Sequence, residues 1–242
     1  TGHGISTLVV YDASGPRLKV LKKLYGIEAV KSNREVTGRA DVIIIAVKPG
    51  DVAKVCTEIK ESLSPASLVI SIAAGISLAY LQGCLGSQRI VRTMPNTPAL
   101  VGRGMTVIAS SPSTAKKDIG RAQEIFSRIG DVLVMDEKYL DAVTAVSGSG
   151  PAFVSLFAEA MIDGAVRLGI QRDHALKLSV KTMEGTLALL ESGIHTAQLR
   201  DMVTSPGGTT AEGLAVLETG GFKGVVMDAL KKACERASNL AR

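Results

Sequence analysis

Two glycines stand at the entrance of a predicted helix: Ser205-Pro206-Gly207-Gly208-Thr209-Thr210 runs into Ala211-Glu212-Gly213-Leu214. The first residues of a helix leave backbone N–H groups without intrahelical partners, and the helix dipole adds positive potential at the same point. A carboxylate or phosphate is the ligand that such a segment suits. The hydroxyls of Thr209 and Thr210 fall within reach of the same ligand. A plain capped helix start is the alternative reading.

Two strand exits are the next candidates. Ala46-Val47-Lys48-Pro49 leaves an apolar strand, and so does Ile72-Ala73-Ala74-Gly75, where small residues let a flat ring approach the backbone. Ligands of open α/β sheets bind at the carboxyl ends of strands, although an ordinary turn reads the same way. Asp12, ending an earlier strand, is placed to hold a ribose hydroxyl; Ser14 and Arg17 could instead serve a 2′-phosphate. Thr93-Met94-Pro95-Asn96-Thr97-Pro98 carries two prolines around a polar centre, a rigid loop able to fix an amide against a ligand or simply to connect. Ser147-Gly148-Ser149-Gly150-Pro151-Ala152 reads as a helix start, with Ser149 as cap and Pro151 as first helical residue.

Several chemistries lack their residues. No G-x-S-x-G, H-E-x-x-H or Walker loop occurs, and His3, His174 and His195 stand apart. Cys56, Cys84 and Cys234 form no C-x-x-C, so neither a disulfide framework nor a structural zinc is expected, and no metal site is assigned. Lys48 has no neighbouring cation to depress its pKa for imine chemistry. Net charge is +5, but the basic residues are scattered; with aromatics at 3% and no Trp, a base-stacking nucleic-acid surface is excluded. An anionic small molecule fits better. No unbroken run of about 18 apolar residues occurs, so no membrane span is expected. The opening Thr1-Gly2-His3-Gly4 does not read as a signal peptide, and cytoplasm is the expected location.

These segments must be held by 242 residues, 46% hydrophobic and 21% charged, a packed-protein balance. Strands are predicted at 7–11, 41–47, 67–72, 89–92, 104–109 and 131–135. Helices are predicted between them, among them Gly15 to Tyr25 stopped by Gly26, Asp51 to Leu63, and Thr114 to Ile129. That alternation predicts a mostly parallel sheet, with 41–47 covered on both faces. From Glu137 only helices are expected: one with an apolar face from Phe153 to Leu168, one from an Asp173 cap to Ser192 ended by Gly193, and two more after Thr209 and Phe222. Their apolar faces exceed what a lone bundle needs, which suggests burial against another subunit.

The series A-V-K-P, I-A-A-G, M-P-N-T-P, S-G-S-G-P-A, S-P-G-G-T-T-A-E-G-L and L-E-T-G-G-F, in that order over essentially the whole chain, resembles pyrroline-5-carboxylate reductase. The resemblance implies an α/β Rossmann-like domain over 1–136 and an all-helical dimerisation and substrate-binding domain over 137–242. It implies NADPH, or NADH, reducing 1-pyrroline-5-carboxylate to proline, the last step of proline biosynthesis, in a homodimer or higher homo-oligomer. Carried over, Asn33 would meet the adenosine end of the cofactor, while Ser14 stays a cofactor-binding candidate by its position after the first strand. Ala46, Val47, Lys48, Pro49, Ile72, Ala73 and Ala74 would line the nicotinamide and its ribose, with Asn96 at the nicotinamide end. Ser205, Gly207, Gly208 and Thr209 would hold the substrate carboxylate, Thr210 would hydrogen-bond the ring nitrogen as the catalytic residue, and Asp136 would lie near the substrate. In such dimers the substrate loop comes from the partner's helices.

The family's opening strand and G-x-G-x-M-A turn have no counterpart in the sequence given, a difference of some 25 residues by the usual size of a βα unit. A sheet short of one strand, and a pyrophosphate without its helix N-terminus, are therefore expected. Two other readings remain: a non-catalytic dimerising protein, or a related imine reductase or β-hydroxyacid dehydrogenase. The last would need a catalytic Lys or Asp in the helical half, whereas Lys177 and Lys181 read as a solvated face.

Overall fold

Alternate residues of one strand feed two separate cores, and the whole α/β half is arranged around that strand. In the computed structural model, which describes residues 7–86 and 89–240, β4 (Leu68–Ser71) has all four residues at 0% exposure. Val69 faces α3 (Val52–Ile59) and α4 (Leu78–Leu85), in a core with Ile45, Cys56, Ile76 and Leu81. Leu68 and Ile70 face α5 (Lys116–Phe126), in a core with Val91, Ile108, Ala122 and Phe126. This is the period-two alternation of a pleated strand buried on both sides.

The chain forms two compact units: residues 1–148 with 233–242, and residues 149–232. In the first, β1 (Val9–Val10) and β2 (Glu28–Ala29) make a parallel pair joined by α1 (Gly15–Tyr25). After α2 (Asn33–Thr37), a second sheet has the order β3 (Val42–Ile45), β4, β5 (Ile90–Met94), β6 (Gly104–Ser110) and β7 (Gly130–Val134). The fold is Rossmann-like, with the parallel run of the sheet interrupted at one point. β6 runs antiparallel to β5, because residues 95–103 are too few for a crossover helix and the chain simply turns back.

The structure corrects several expectations. β3 is not covered on both faces: it lies at the end of its sheet, and Ile44 is 44% exposed. Gln171, not Asp173, precedes the helix α8 (Arg172–Glu191); Asp173 sits in the first turn, where a carboxylate favours the dipole without capping. Gly150, not Pro151, opens α7 (Gly150–Arg167), and Ser149 flanks it without a side-chain bond. The helical run Glu137–Arg167 is, by length and composition, apolar enough to cross a membrane. It contains no unbroken apolar run, because small and polar residues of little charge interrupt it. A face that another protein covers has the same composition.

The second unit holds all of α7, α8, α9 (Thr196–Met202) and α10 (Thr209–Thr219) and the first part of α11 (Phe222–Leu240). Its only buried residues among those described are Ala175 and Ser179, while Leu156, Phe157, Leu187, Val216 and Val225 are exposed. The rings of Phe157 and Phe222 meet at 5.8 Å. The three thiols are free; burial pushes Cys56 up to about 11, so it remains a protonated core group at neutral pH.

One ion pair closes the α/β half. Arg89, just before β5, grips the buried Asp118 of α5 with Nε at 3.0 Å and Nη2 at 2.6 Å, and also donates to the Ala66 carbonyl. Hydrogen bonding from Arg89 outweighs burial and holds the Asp118 carboxyl below its usual range. A depressed carboxyl contributes stability above its unfolded pKa, about 3.9, and loses it as pH falls through the lower folded value. Asp118→Ala is expected to cost about 2–3 kcal/mol in urea unfolding at pH 7, below the cost for a wholly buried pair because Arg89 is partly solvated. Below about pH 4 the gap between wild type and Asp118→Ala should narrow.

Candidate active site

Because β3, β4 and β5 are adjacent and parallel, their carboxyl ends share one edge. Ala46–Pro49, Ile72–Ala74 and Met94–Asn96 therefore emerge side by side. Short bonds fix them: Ile72 N donates to the Ile45 carbonyl at 3.1 Å, Ala73 N to Ser71 Oγ at 3.3 Å, and Thr93 Oγ1 to the Ser71 carbonyl at 3.2 Å. Ala73 is buried, Ile72, Ala74, Val47 and Pro49 are half-buried, and Ala46 and Lys48 are exposed. Small side chains at a rigid edge leave room for a flat ring. Asn96 Oδ1 accepts from Met105 N at 2.8 Å, which orients the side chain and leaves its NH₂ for a ligand.

The adenosine-end candidates lie on other elements. Asp12 Oδ1 accepts from Ser14 N at 2.7 Å and Oδ2 lies 3.7 Å from Arg17. Ser14 caps α1 by accepting from Arg17 N at 3.4 Å, so Asp12, Ser14 and Arg17 form one cluster after β1. The Arg17 side chain is 71% exposed. Asn33, the first residue of α2, donates to Glu58 of α3 at 2.7 Å and keeps its carbonyl oxygen free.

Asp136 is exposed and lies 3.5 Å from Lys138 Nζ. The carboxylate that turns inward is Glu137, in the 3₁₀ turn Glu137–Tyr139, and sequence reasoning missed it. Its signal was Arg92, an arginine inside an apolar strand, which a buried site must pair with acid. Arg92 Nη1 donates to Glu137 at 3.0 Å, and Nη2 lies 3.7 Å from Asp141 of α6 (Leu140–Val143). A π-helical turn, Thr144–Gly148, follows. A Cβ at Gly148 would come within 2.6 Å of Met94 Cε, so this turn presses on the Met94–Asn96 loop.

In the second unit Ser205–Gly208 closes a turn, with Gly208 N donating to the Ser205 carbonyl at 3.0 Å. Pro206 and Gly207 occupy its centre, and Gly207 has φ +66°, which a turn of this type demands. Gly208 leads into α10 without a side-chain cap, so the N–H groups of Thr209, Thr210 and Ala211 remain open to a ligand. The Gly208 N–H, by contrast, is consumed by the turn. Thr209 is exposed and Thr210 half-buried. His195 caps α9 through Nδ1, which accepts from Ala197 N at 3.2 Å.

Residues 137–240 match the family described as pyrroline-5-carboxylate reductase dimerisation, and residues 2–75 match NADP oxidoreductase coenzyme F420-dependent. The pyrroline-5-carboxylate reductase of Synechocystis is 41% identical over 97% of this chain and 88% of its own length. That of Escherichia coli is 43% identical over 96% and 87%. This chain belongs to the pyrroline-5-carboxylate reductase family. A reductase of the family from Plasmodium falciparum, solved with NADP bound, superposes with TM-score 0.88 at 37% identity, over 97% of this chain and 87% of that one. A prephenate dehydrogenase from Aquifex aeolicus shares the fold alone, with TM-score 0.54 and 14% identity. The helical half of a pyrroline-5-carboxylate reductase is thus the stretch whose apolar faces lack a core of their own.

The packing of Met94 on Gly148 is open to a double-mutant test. Gly148→Ala should destabilise by about 1–3 kcal/mol through overpacking, and Met94→Ala in the same chain should recover part of that loss. Urea unfolding of the two single variants and the double variant measures the coupling.

Proposed function

We propose that this chain reduces 1-pyrroline-5-carboxylate to proline using NADPH or NADH, as a homodimer or larger homo-oligomer. The observation that carries the reading is the open N-terminus of α10 behind the Ser205–Gly208 turn, a carboxylate site flanked by two hydroxyls. Bound NADPH supplies the hydride. The residues at the sheet edge fit it: Ala73 and Ala74 leave space for the ring, Asn96 offers an amide NH₂, and Arg17 with Ser14 offers a site for a 2′-phosphate.

The substrate is a cyclic imine bearing a carboxylate. In this reading the N–H groups of Thr209, Thr210 and Ala211 hold the carboxylate, with Ser205, Gly207 and Gly208 shaping the turn beneath it. The Thr210 hydroxyl hydrogen-bonds the ring nitrogen, which is protonated in the net reaction while C5 receives the hydride and the C=N π bond becomes a C–H bond and an N–H bond. An iminium carbon is electrophilic enough that no strong general acid is required, which accords with the absence of a histidine in any of these loops. The chain's work is placement: fixing two reactants at attack distance is worth about 7–11 kcal/mol at best. Asp136 is exposed and lies 3.5 Å from Lys138 Nζ, and of the two it is the lysine that would attract an anionic substrate.

The oligomer rests on the helical unit, whose apolar side chains outnumber anything its own helices bury. We assign 1–136 to the cofactor and 137–242 to assembly and substrate binding. Three unpaired thiols suit a cytoplasmic setting.

Consumption of NADPH on adding 1-pyrroline-5-carboxylate tests the activity, and absence of turnover by a folded oligomer would favour the non-catalytic dimerising alternative. Thr210→Ala should lower kcat/KM by roughly 10²–10³, as for loss of one transition-state donor. Arg17→Ala should raise the NADPH KM roughly fivefold, the worth of one exposed ion pair, and leave the NADH KM unchanged.

A further inference from the structure

Beyond residue 71 the β4–β5 ladder stops: its last pair is Ser71 with Arg92. β5 then turns towards β6, with Met94 paired to Val107. The two strands thus part where their exits begin. One carboxylate oxygen bridges the gap. Glu137 Oε1 accepts from Leu78 N at 2.7 Å and from Arg92 Nη1 at 3.0 Å. Leu78 opens α4 and terminates the segment that starts at Ile72; Arg92 lies two residues before Met94.

We propose that Glu137 is a positioning residue that holds Ile72–Ala74 and Met94–Asn96 at a fixed separation. The inference rests on the reading of these two loops as the nicotinamide wall. A carboxylate suits the position because it accepts from a main-chain N–H and from a guanidinium at once, and charge-assisted bonds are the stronger kind. Its neighbours lock it. Arg92 is 5% exposed and faces Asp141 with its other nitrogen, and Asp141 Oδ2 accepts from Ser238 Oγ at 2.9 Å near the end of α11. Ser77 Oγ takes the Tyr80 N–H of the same helix start, so Glu137 supplies the acceptor for Leu78 that the local sequence does not. The turn that opens the helical half of the sequence therefore sets the spacing of two loops at the sheet edge.

Hydrogen exchange of the full chain, without added ligand, tests this. Leu78 is the first residue of its helix, where amides ordinarily exchange freely. In the wild type its amide should be protected, and free exchange would overturn the proposal without recourse to any variant. In Glu137→Ala, peptides covering 72–78 and 92–96 should exchange about tenfold faster, the loss of roughly one hydrogen bond, while β6 and β7 keep wild-type rates. Glu137→Gln, which retains an accepting oxygen, should restore both segments. Uniform acceleration across the sheet, or no restoration by Gln, would contradict it.

Kinetics separate the two readings. Glu137→Ala should raise the NADPH KM about tenfold through misplaced loops and leave the imine-acid KM within about twofold. Loosened loops in a chain whose wild type does not turn over NADPH would keep the clasp and remove the proposed activity. Turnover with unaltered loops and unaltered NADPH KM would keep the activity and remove the clasp.

Discussion

Parallel strands end together, and what this chain can present to a ligand depends on that constraint. Being adjacent and parallel, β3, β4 and β5 deliver three loops to one edge. The edge in turn depends on β4, whose complete burial requires apolar cover on both faces: α3 and α4 on one side, α5 on the other. Cover on both faces requires crossovers, and crossovers keep the strands parallel. Where the connection is too short for a helix, as between β5 and β6, the sheet reverses and the shared edge ends.

The helical half obeys a different rule. Over residues 149–232 only Ala175 and Ser179 are buried among the described residues, so that unit contributes surface rather than core. A run such as Glu137–Arg167 is apolar for the same reason that an interface helix is apolar, and its composition alone does not tell an interface from a bilayer. Membership of a family whose matching segment is a dimerisation region gives the simpler account of that face. The same half carries the anion-suited N-terminus of α10, so assembly and substrate binding draw on one set of helices in the proposed function.

Much of this was legible because local chemistry decided it. Gly26 and Gly193 stop helices where expected, and a helix opens at Thr209 behind the two glycines as their position demands. What failed depended on distant partners. β3 has the same β-branched run as a central strand, yet Ile44 is exposed because cover is a property of neighbours. The short elements β2, α2 and α9 carry too few residues to show a period. Asp136 and Glu137 are adjacent carboxylates with opposite environments, and only the fold decides which one faces the buried Arg92. The roles of Asn33, Asn96 and Thr210 came from the resemblance and from no spacing rule.

The account stands on hydride reaching the imine carbon of a substrate held by its carboxylate. Reduction of 1-pyrroline-5-carboxylate with NADPH carrying deuterium at both C4 positions of the nicotinamide, in ordinary water, tests that directly. Proline carrying one deuterium at C5, found by mass spectrometry and NMR, is the predicted result. Proline without the label, or no proline from a folded oligomer, would contradict it.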